Sequence, residues 1–203
     1  MSKYPVILFE GIEGSGKTTQ LNYVCNYLKR NKYKFIKIRE PGGCKNSEKI
    51  RKLILDKKSN FNSTTDLLLY LASRSENIEK IFFKNYKKKI ILIDRFLYST
   101  FAYQHYGMGV SHDVIKKINT YILNGFKPDY IFLHTVKLKT MEYRLKQRRN
   151  NNRYDYFNNS FYKRVQNGFL KMLKNKKNVK IINSSYDIKK NKNEILKVIK
   201  KLI

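Results

Sequence analysis

The chain has 203 residues and carries 44 Lys and Arg against 15 Asp and Glu, a formal charge of +29, with 41% hydrophobic and 14% aromatic residues. That length fits one compact domain, and the apolar share suffices for a buried core, which counts against both a disordered chain and a two-domain enzyme. Its two cysteines, Cys25 and Cys44, have no paired spacing and no His cluster nearby, which excludes a disulfide framework and a structural zinc site and fits a reducing cytosol.

In chain order, Val6 to Phe9 reads as a buried strand, too short for a signal peptide, that runs into a Gly-rich turn and a helix over Lys17 to Arg30. A second strand over Phe35 to Ile38 precedes helices over Ser47 to Leu55 and Thr65 to Phe82. The third strand, Ile90 to Ile93, is followed by helices over Tyr98 to Tyr106 and Asp113 to Asn124, and the fourth, Tyr130 to Leu133, by a helix over Lys139 to Arg149. A helix over Ser160 to Lys174, a fifth strand over Val179 to Ile182 and a helix over Asp187 to Lys200 complete the pattern. Strands alternating with helices predict an α/β three-layer fold, a five-stranded and mostly parallel sheet flanked by helices, within a single domain over 1–203. The Asn-rich stretch around 149–159 reads as a loop or a mobile lid. No segment reaches membrane-spanning length, so a cytoplasmic protein is expected.

The excess positive charge lies largely in scattered tracts such as Lys87 to Lys89, Lys174 to Lys177 and Lys189 to Lys192, which read as solvated helix ends and loops. It favours anionic partners, but no nucleic-acid-binding signature accompanies it, so a functional nucleic-acid groove is not expected.

Gly11-Ile12-Glu13-Gly14-Ser15-Gly16-Lys17-Thr18, with Thr19 following, satisfies the phosphate-loop pattern between a strand and a helix. Its glycines allow backbone amides to face phosphate oxygens, and the helix N-terminus adds its own positive end. Lys17 then bridges the moving phosphoryl group of ATP and Thr18 offers a hydroxyl to magnesium. Asp94 ends an apolar strand and suits the same magnesium through water, and Arg95 directs a fork at an acceptor phosphate. Such chemistry needs several arginines in one cleft, for which Arg39, Arg51, Arg74, Arg95 and Arg153 are candidates.

From Val6 to about Ser185 the chain resembles the bacterial thymidylate kinase family, through FEGIEGSGKTT at 9–19, REPGG at 39–43, YLASR at 70–74, DRFLYSTFAYQ at 94–104 and NRYDYFNNSFYKRVQNGF at 152–169. The resemblance implies a magnesium-dependent transfer from ATP to thymidine monophosphate within a P-loop fold, commonly in a homodimer. It implies that Tyr70 stacks on thymine, that Arg74 bonds the outward carbonyl edge, and that Ser99, Thr100 and Gln104 line the base and sugar pocket. It further implies that Tyr103 crowds the sugar C2 position and that Arg39, Arg51 and Arg95 surround the acceptor, with Arg95 on its phosphate. Glu13 matches an acidic residue near the acceptor sugar, and because Gly14 follows it in place of an arginine, the resemblance implies a catalytic arginine from the lid, Arg153.

Two departures stand out: Leu133-His134-Thr135 replaces the usual Leu-Asp-Val, and Asp155 replaces the usual lid glutamate. His134, alone at a strand end, is not expected to act as a base. The adenine site is expected around Asn183 to Tyr186 and near Arg144. A kinase for another nucleotide or a nucleoside is the alternative enzyme reading, and a P-loop scaffold that binds nucleic acid is the alternative outside enzymes.

Overall fold

The computed structural model describes residues 3–149 and 151–203, so Asn150, within the expected lid, lies outside the described residues. Five strands form one sheet: β1 (Val6–Gly11), β2 (Phe35–Arg39), β3 (Ile90–Asp94), β4 (Tyr130–Thr135) and β5 (Val179–Asn183). Their order is β2-β3-β1-β4-β5 and all neighbouring pairs are parallel. The register places Phe9 of β1 opposite Asp94 of β3 and Gly11 opposite His134 of β4. Three chain segments thereby meet at the C-terminal edge of the sheet, where open α/β sheets carry their sites.

Both faces are covered, which explains why the strands read as unbroken apolar runs. Ile7 and Phe9 point to one side and pack with Leu21, Val24 and Leu28 of α1 (Lys17–Arg30) and with Ile195 and Ile199 of the last helix, α9 (Ile188–Leu202). Val6 and Leu8 point to the other, where they share a core with Ile54 of α2 (Lys45–Leu55) and with Phe82, which follows α3 (Ser63–Asn77). The long amphipathic α8 (Asn159–Leu173) closes that face with Tyr162, Val165, Phe169 and Leu173. A further cluster of Leu67, Leu71, Phe101 and Ile115 joins α3 to α6 (His112–Leu123).

The strands and most helices lie where the hydrophobic pattern predicts, whereas two long helical readings are interrupted. α3 stops at Asn77 and continues as a π turn over Ile78–Phe82 and a short α4 (Phe83–Asn85). The helix after β3 is a brief α5 (Leu97–Thr100) that widens into a π-helical segment over Phe101–Gly107. That wide segment lies directly against α8 because two glycines allow the approach. A Cβ on Gly107 would meet Phe161 at 2.7 Å, and one on Gly168 would meet Tyr106 at 2.5 Å. Between α7 (Leu138–Lys146) and α8, the described part of the lid contains a 3-10 turn over Arg153–Tyr156. No helix among the described residues is long and apolar enough to cross a membrane.

Candidate active site

The phosphate loop begins where β1 ends. Gly11 sits at φ 140°, and a Cβ there would lie 2.2 Å from the His134 carbonyl oxygen, so only glycine permits this approach of the loop to β4. Ser15 Oγ and Lys17 Nζ both donate to the Ile12 carbonyl, at 2.7 and 3.0 Å, which shapes the loop from within. Lys17 opens α1 and is buried. Burial, helped by Arg95, pushes its amine down to about 8, and an incoming polyphosphate would restore the full charge. Thr18 Oγ1 donates to Asp94 Oδ2 at 2.8 Å, bringing a hydroxyl and a carboxylate together beside Lys17. An all-oxygen pair of this kind fits a hard cation such as magnesium, and among the described residues no group of three or more His, Cys, Asp and Glu could hold a metal ion.

Arg95, immediately after Asp94, adopts a left-handed backbone at φ 64°, a conformation that costs a non-glycine residue roughly 1–2 kcal/mol. Two features hold it there. Its guanidinium donates to the Gly11 carbonyl at 2.8 Å and to Glu13 Oε1 at 2.7 Å, and lies over the Tyr103 ring. The Tyr103 hydroxyl donates to the other Glu13 oxygen. On the backbone side, the fully buried Glu10 accepts from Phe96 N at 3.0 Å and from Ser99 N and Oγ, pinning the start of α5. Burial raises the Glu10 carboxyl, and the Ser99 hydrogen bond and the Arg95 charge oppose that rise. Glu10 falls just past the apolar run Val6 to Phe9, and nothing in the sequence marks it as buried.

A cleft of about 290 Å³ spreads from the loop to β2 and α2. Its walls carry Lys17, Arg39, Arg51, Arg95, Arg144 and Arg148 against Glu13, Glu40 and Asp94, so cationic side chains outnumber carboxylates two to one. Tyr70 and Tyr154 also face it, together with Gly14, Gly16, Thr18 and Thr19 of the loop. Arg51 donates to the Pro41 carbonyl at 2.5 Å, and one terminal nitrogen of the exposed Arg39 donates to both Glu48 carboxylate oxygens, at 2.9 and 3.0 Å. An adjoining space of only about 20 Å³ shares Glu13, Tyr70 and Arg95 with the cleft and is otherwise bounded by Ser99, Tyr103 and Gln104. The structure therefore gathers the phosphate loop, Asp94 and Arg95 with Arg39, Arg51, Tyr70, Ser99, Tyr103 and Gln104 at one site.

Three expected site residues line neither of these spaces. Arg74 is only 1% exposed and lines neither space. Glu40 takes its Nε at 2.8 Å and Asn119 its NH1 at 2.5 Å, because a buried guanidinium requires both countercharge and hydrogen-bond acceptors. Thr100 is buried, and its Oγ1 has no hydrogen-bond partner among the described residues, as is true of Gln104 Oε1. Arg153, expected over the phosphates, instead binds Asp66 of α3 and packs on Phe61 and Tyr154. The lid arginine that does line the cleft is Arg148, held by Asp155 at 2.9 and 3.1 Å.

Next to the loop, Arg144 donates to the Gly14 carbonyl and the Ser184 carbonyl, both at 2.8 Å. It lines a recess of about 190 Å³ with Gly16, Thr19, Gln20, Ser184, Tyr186, Ile188 and Asn191, adjacent to where the sequence reading expects adenine. His134 is fully buried, 3.3 Å from Ser184 Oγ, and burial pushes its imidazole down to about 3, so it is neutral and shielded from solvent.

Comparison with known proteins identifies the family. A family model described as thymidylate kinase matches residues 9–195. A thymidylate kinase of Finegoldia magna is 37% identical over 96% of this chain and 97% of its own length, and one of Mycoplasma capricolum subsp. capricolum is 37% identical over 95% and 93%. The crystal structure of thymidylate kinase from Ehrlichia chaffeensis superposes with a TM-score of 0.77 at 32% identity, covering 97% of this chain and 98% of that one. Shared sequence over nearly the whole length, with the same fold and a cationic phosphate-loop cleft, establishes that the chain belongs to the thymidylate kinase family.

Proposed function

We propose that this cleft transfers the terminal phosphoryl group of ATP directly, in line, to the phosphate of thymidine monophosphate. The observation that carries this reading is the convergence of Lys17 and five arginines around the Thr18 and Asp94 oxygens. Charge of that density suits two phosphorylated ligands and the transition state between them. The loop amides and Lys17 hold the donor phosphates, and the recess beside Arg144 and Ser184 takes the adenine. Thr18 and Asp94 would hold magnesium, which when bound would supply positive charge to offset that of the donor phosphates.

On the acceptor side, Arg95 binds the phosphate, and its left-handed backbone aims the guanidinium back across Gly11. Arg39 and Arg51 flank it, Tyr70 stacks on the base, and Tyr103 crowds the sugar, with Glu13 orienting both Arg95 and Tyr103. Ser99, Thr100 and Gln104 take the base edge. The partnerless oxygens of Thr100 and Gln104 support this assignment, because buried acceptors normally find a donor and a pyrimidine ring N–H supplies one. For Arg74 to reach the thymine carbonyl it must exchange part of its bonding to Glu40 or Asn119. Arg148 is the lid arginine that stabilises charge on the moving phosphoryl group, in the role the sequence reading gave to Arg153.

The enzyme works as a cytoplasmic homodimer. Leu68 on α3 and Val114 and Tyr121 on α6 are exposed large side chains on neighbouring helices, a face suited to a second copy. Sedimentation equilibrium at micromolar concentration is expected to give twice the 24.3 kDa chain mass, and a monomer would contradict this.

The substrate assignment is tested by ADP release with ATP and magnesium against thymidine, deoxyuridine and uridine monophosphates and free thymidine. Thymidine monophosphate is expected to be the best acceptor. Turnover only with another acceptor would keep the phosphoryl chemistry and overturn the base pocket. No turnover with any, together with salt-dependent binding to DNA or RNA, would favour a nucleic-acid-binding role.

A further inference from the structure

Asp66 stands in the first turn of α3, where an acidic residue ordinarily complements the helix dipole at the surface. Here its carboxylate is turned inward and is only 1% exposed. Side chains from two other elements occupy it. Arg153 binds Oδ1, while the Tyr154 hydroxyl donates to Oδ2 at 2.6 Å and Gln104 Nε2 donates to the same oxygen at 3.1 Å. The Arg153 guanidinium lies over the rings of Phe61 and Tyr154, at 5.5 and 5.1 Å from their centroids. Tyr154 in turn meets Tyr70 and Tyr103 edge-on.

The turn that carries Arg153 and Tyr154 is itself stiff. Asn152 and Asp155 form a reciprocal capping box across it, and Tyr162 of α8 donates its hydroxyl to the Tyr154 carbonyl. Asp155 also holds Arg148. A continuous path of bonded groups thus leads from Asp66 on the acceptor-side helix, through the turn, to Arg148 at the phosphate cleft. A carboxylate serving only the stability of α3 would have no need of partners on the lid.

We infer that Asp66 is a positioning residue that docks the lid turn on α3 and so sets Arg148 over the phosphates. The same carboxylate steadies Gln104 in the acceptor wall, which ties closure of the lid to the state of the acceptor side. This rests on the reading of Arg148 as the lid arginine.

The test combines Asp66→Asn, which keeps the shape and removes the charge, with Asp66→Glu and with Arg148→Ala, alone and in combination. Asp66→Asn is expected to lower kcat about 10- to 100-fold, the scale of a misplacement near 1 Å, with the KM for ATP little changed. Amide exchange over Tyr154 to Phe157 is expected to accelerate while that of β1 and β3 stays as it was, and Asp66→Glu should recover part of the turnover. In the Arg148→Ala background, Asp66→Asn should cost less than about twofold more, because its effect passes through Arg148. A full additional loss in that background, or unchanged exchange of the lid turn, overturns the inference. Parental turnover in Arg148→Ala would instead remove the lid-arginine reading and the link to the phosphates, leaving the exchange data to decide whether Asp66 docks the turn.

Discussion

Arg148→Ala is expected to lower kcat about a thousandfold while the KM values for ATP and thymidine monophosphate change only a few-fold. The magnitude follows from what an arginine contributes when it meets charge that develops only as the phosphoryl group moves, which is large in turnover and small in ground-state binding. The fold should tolerate the change. Arg148 is 47% exposed, and its pair with Asp155 contributes at most about 1 kcal/mol to stability at such exposure. Arg148→Lys should recover only a small part, because an ammonium keeps the charge and loses the planar fork. Arg153→Ala provides the comparison. It is expected to fall in the range of Asp66→Asn, at least about tenfold milder than Arg148→Ala, because Arg153 acts through its hold on Asp66. Steady-state kinetics on the three variants decides the ranking, and a larger loss in Arg153→Ala than in Arg148→Ala would return the catalytic role to Arg153.

The second large effect is expected at Arg95, where backbone and side chain can be separated. Arg95→Gly removes the guanidinium but accepts φ 64° without strain, so the loop after β3 should keep its course and the melting temperature should stay within a few degrees of the parent. The specificity constant kcat/KM for thymidine monophosphate should nevertheless drop about a thousandfold, the scale of losing one charged partner of a phosphate in a desolvated site, while the KM for ATP stays nearly constant. Acceptor and donor titrations on this variant make the check. An ATP defect as large as the acceptor defect would place Arg95 with the donor phosphates, and a near-parental constant would remove it from the site.

The division between what could and could not be read in the sequence has a physical basis. Strands buried on both faces leave unbroken apolar runs, so Val6 to Phe9 and Ile90 to Ile93 were legible and carried the sheet with them. The phosphate loop was legible because a backbone that must curl around phosphate restricts residue choice at fixed spacing. The π turns at Ile78–Phe82 and Phe101–Gly107 were not, since one added residue in a helical turn leaves the apolar pattern nearly intact. Side-chain destinations were hardest to see. Nothing local distinguishes Arg153 from Arg148, and only the fold determines that the first meets the buried Asp66 while the second reaches the cleft. Nothing in the sequence marks Asp66 or Glu10 as buried, and only packing turns both inward.

The central claim, direct transfer between two nucleotides in this cleft, is tested most directly by following the phosphoryl group itself. Purified enzyme would be mixed with ATP labelled at its terminal phosphate, magnesium and thymidine monophosphate, then quenched within a single turnover and its products separated. The account predicts label in thymidine diphosphate, formed at the same rate as ADP, with none on the protein. Label released as inorganic phosphate, or retained covalently on the enzyme, would contradict it.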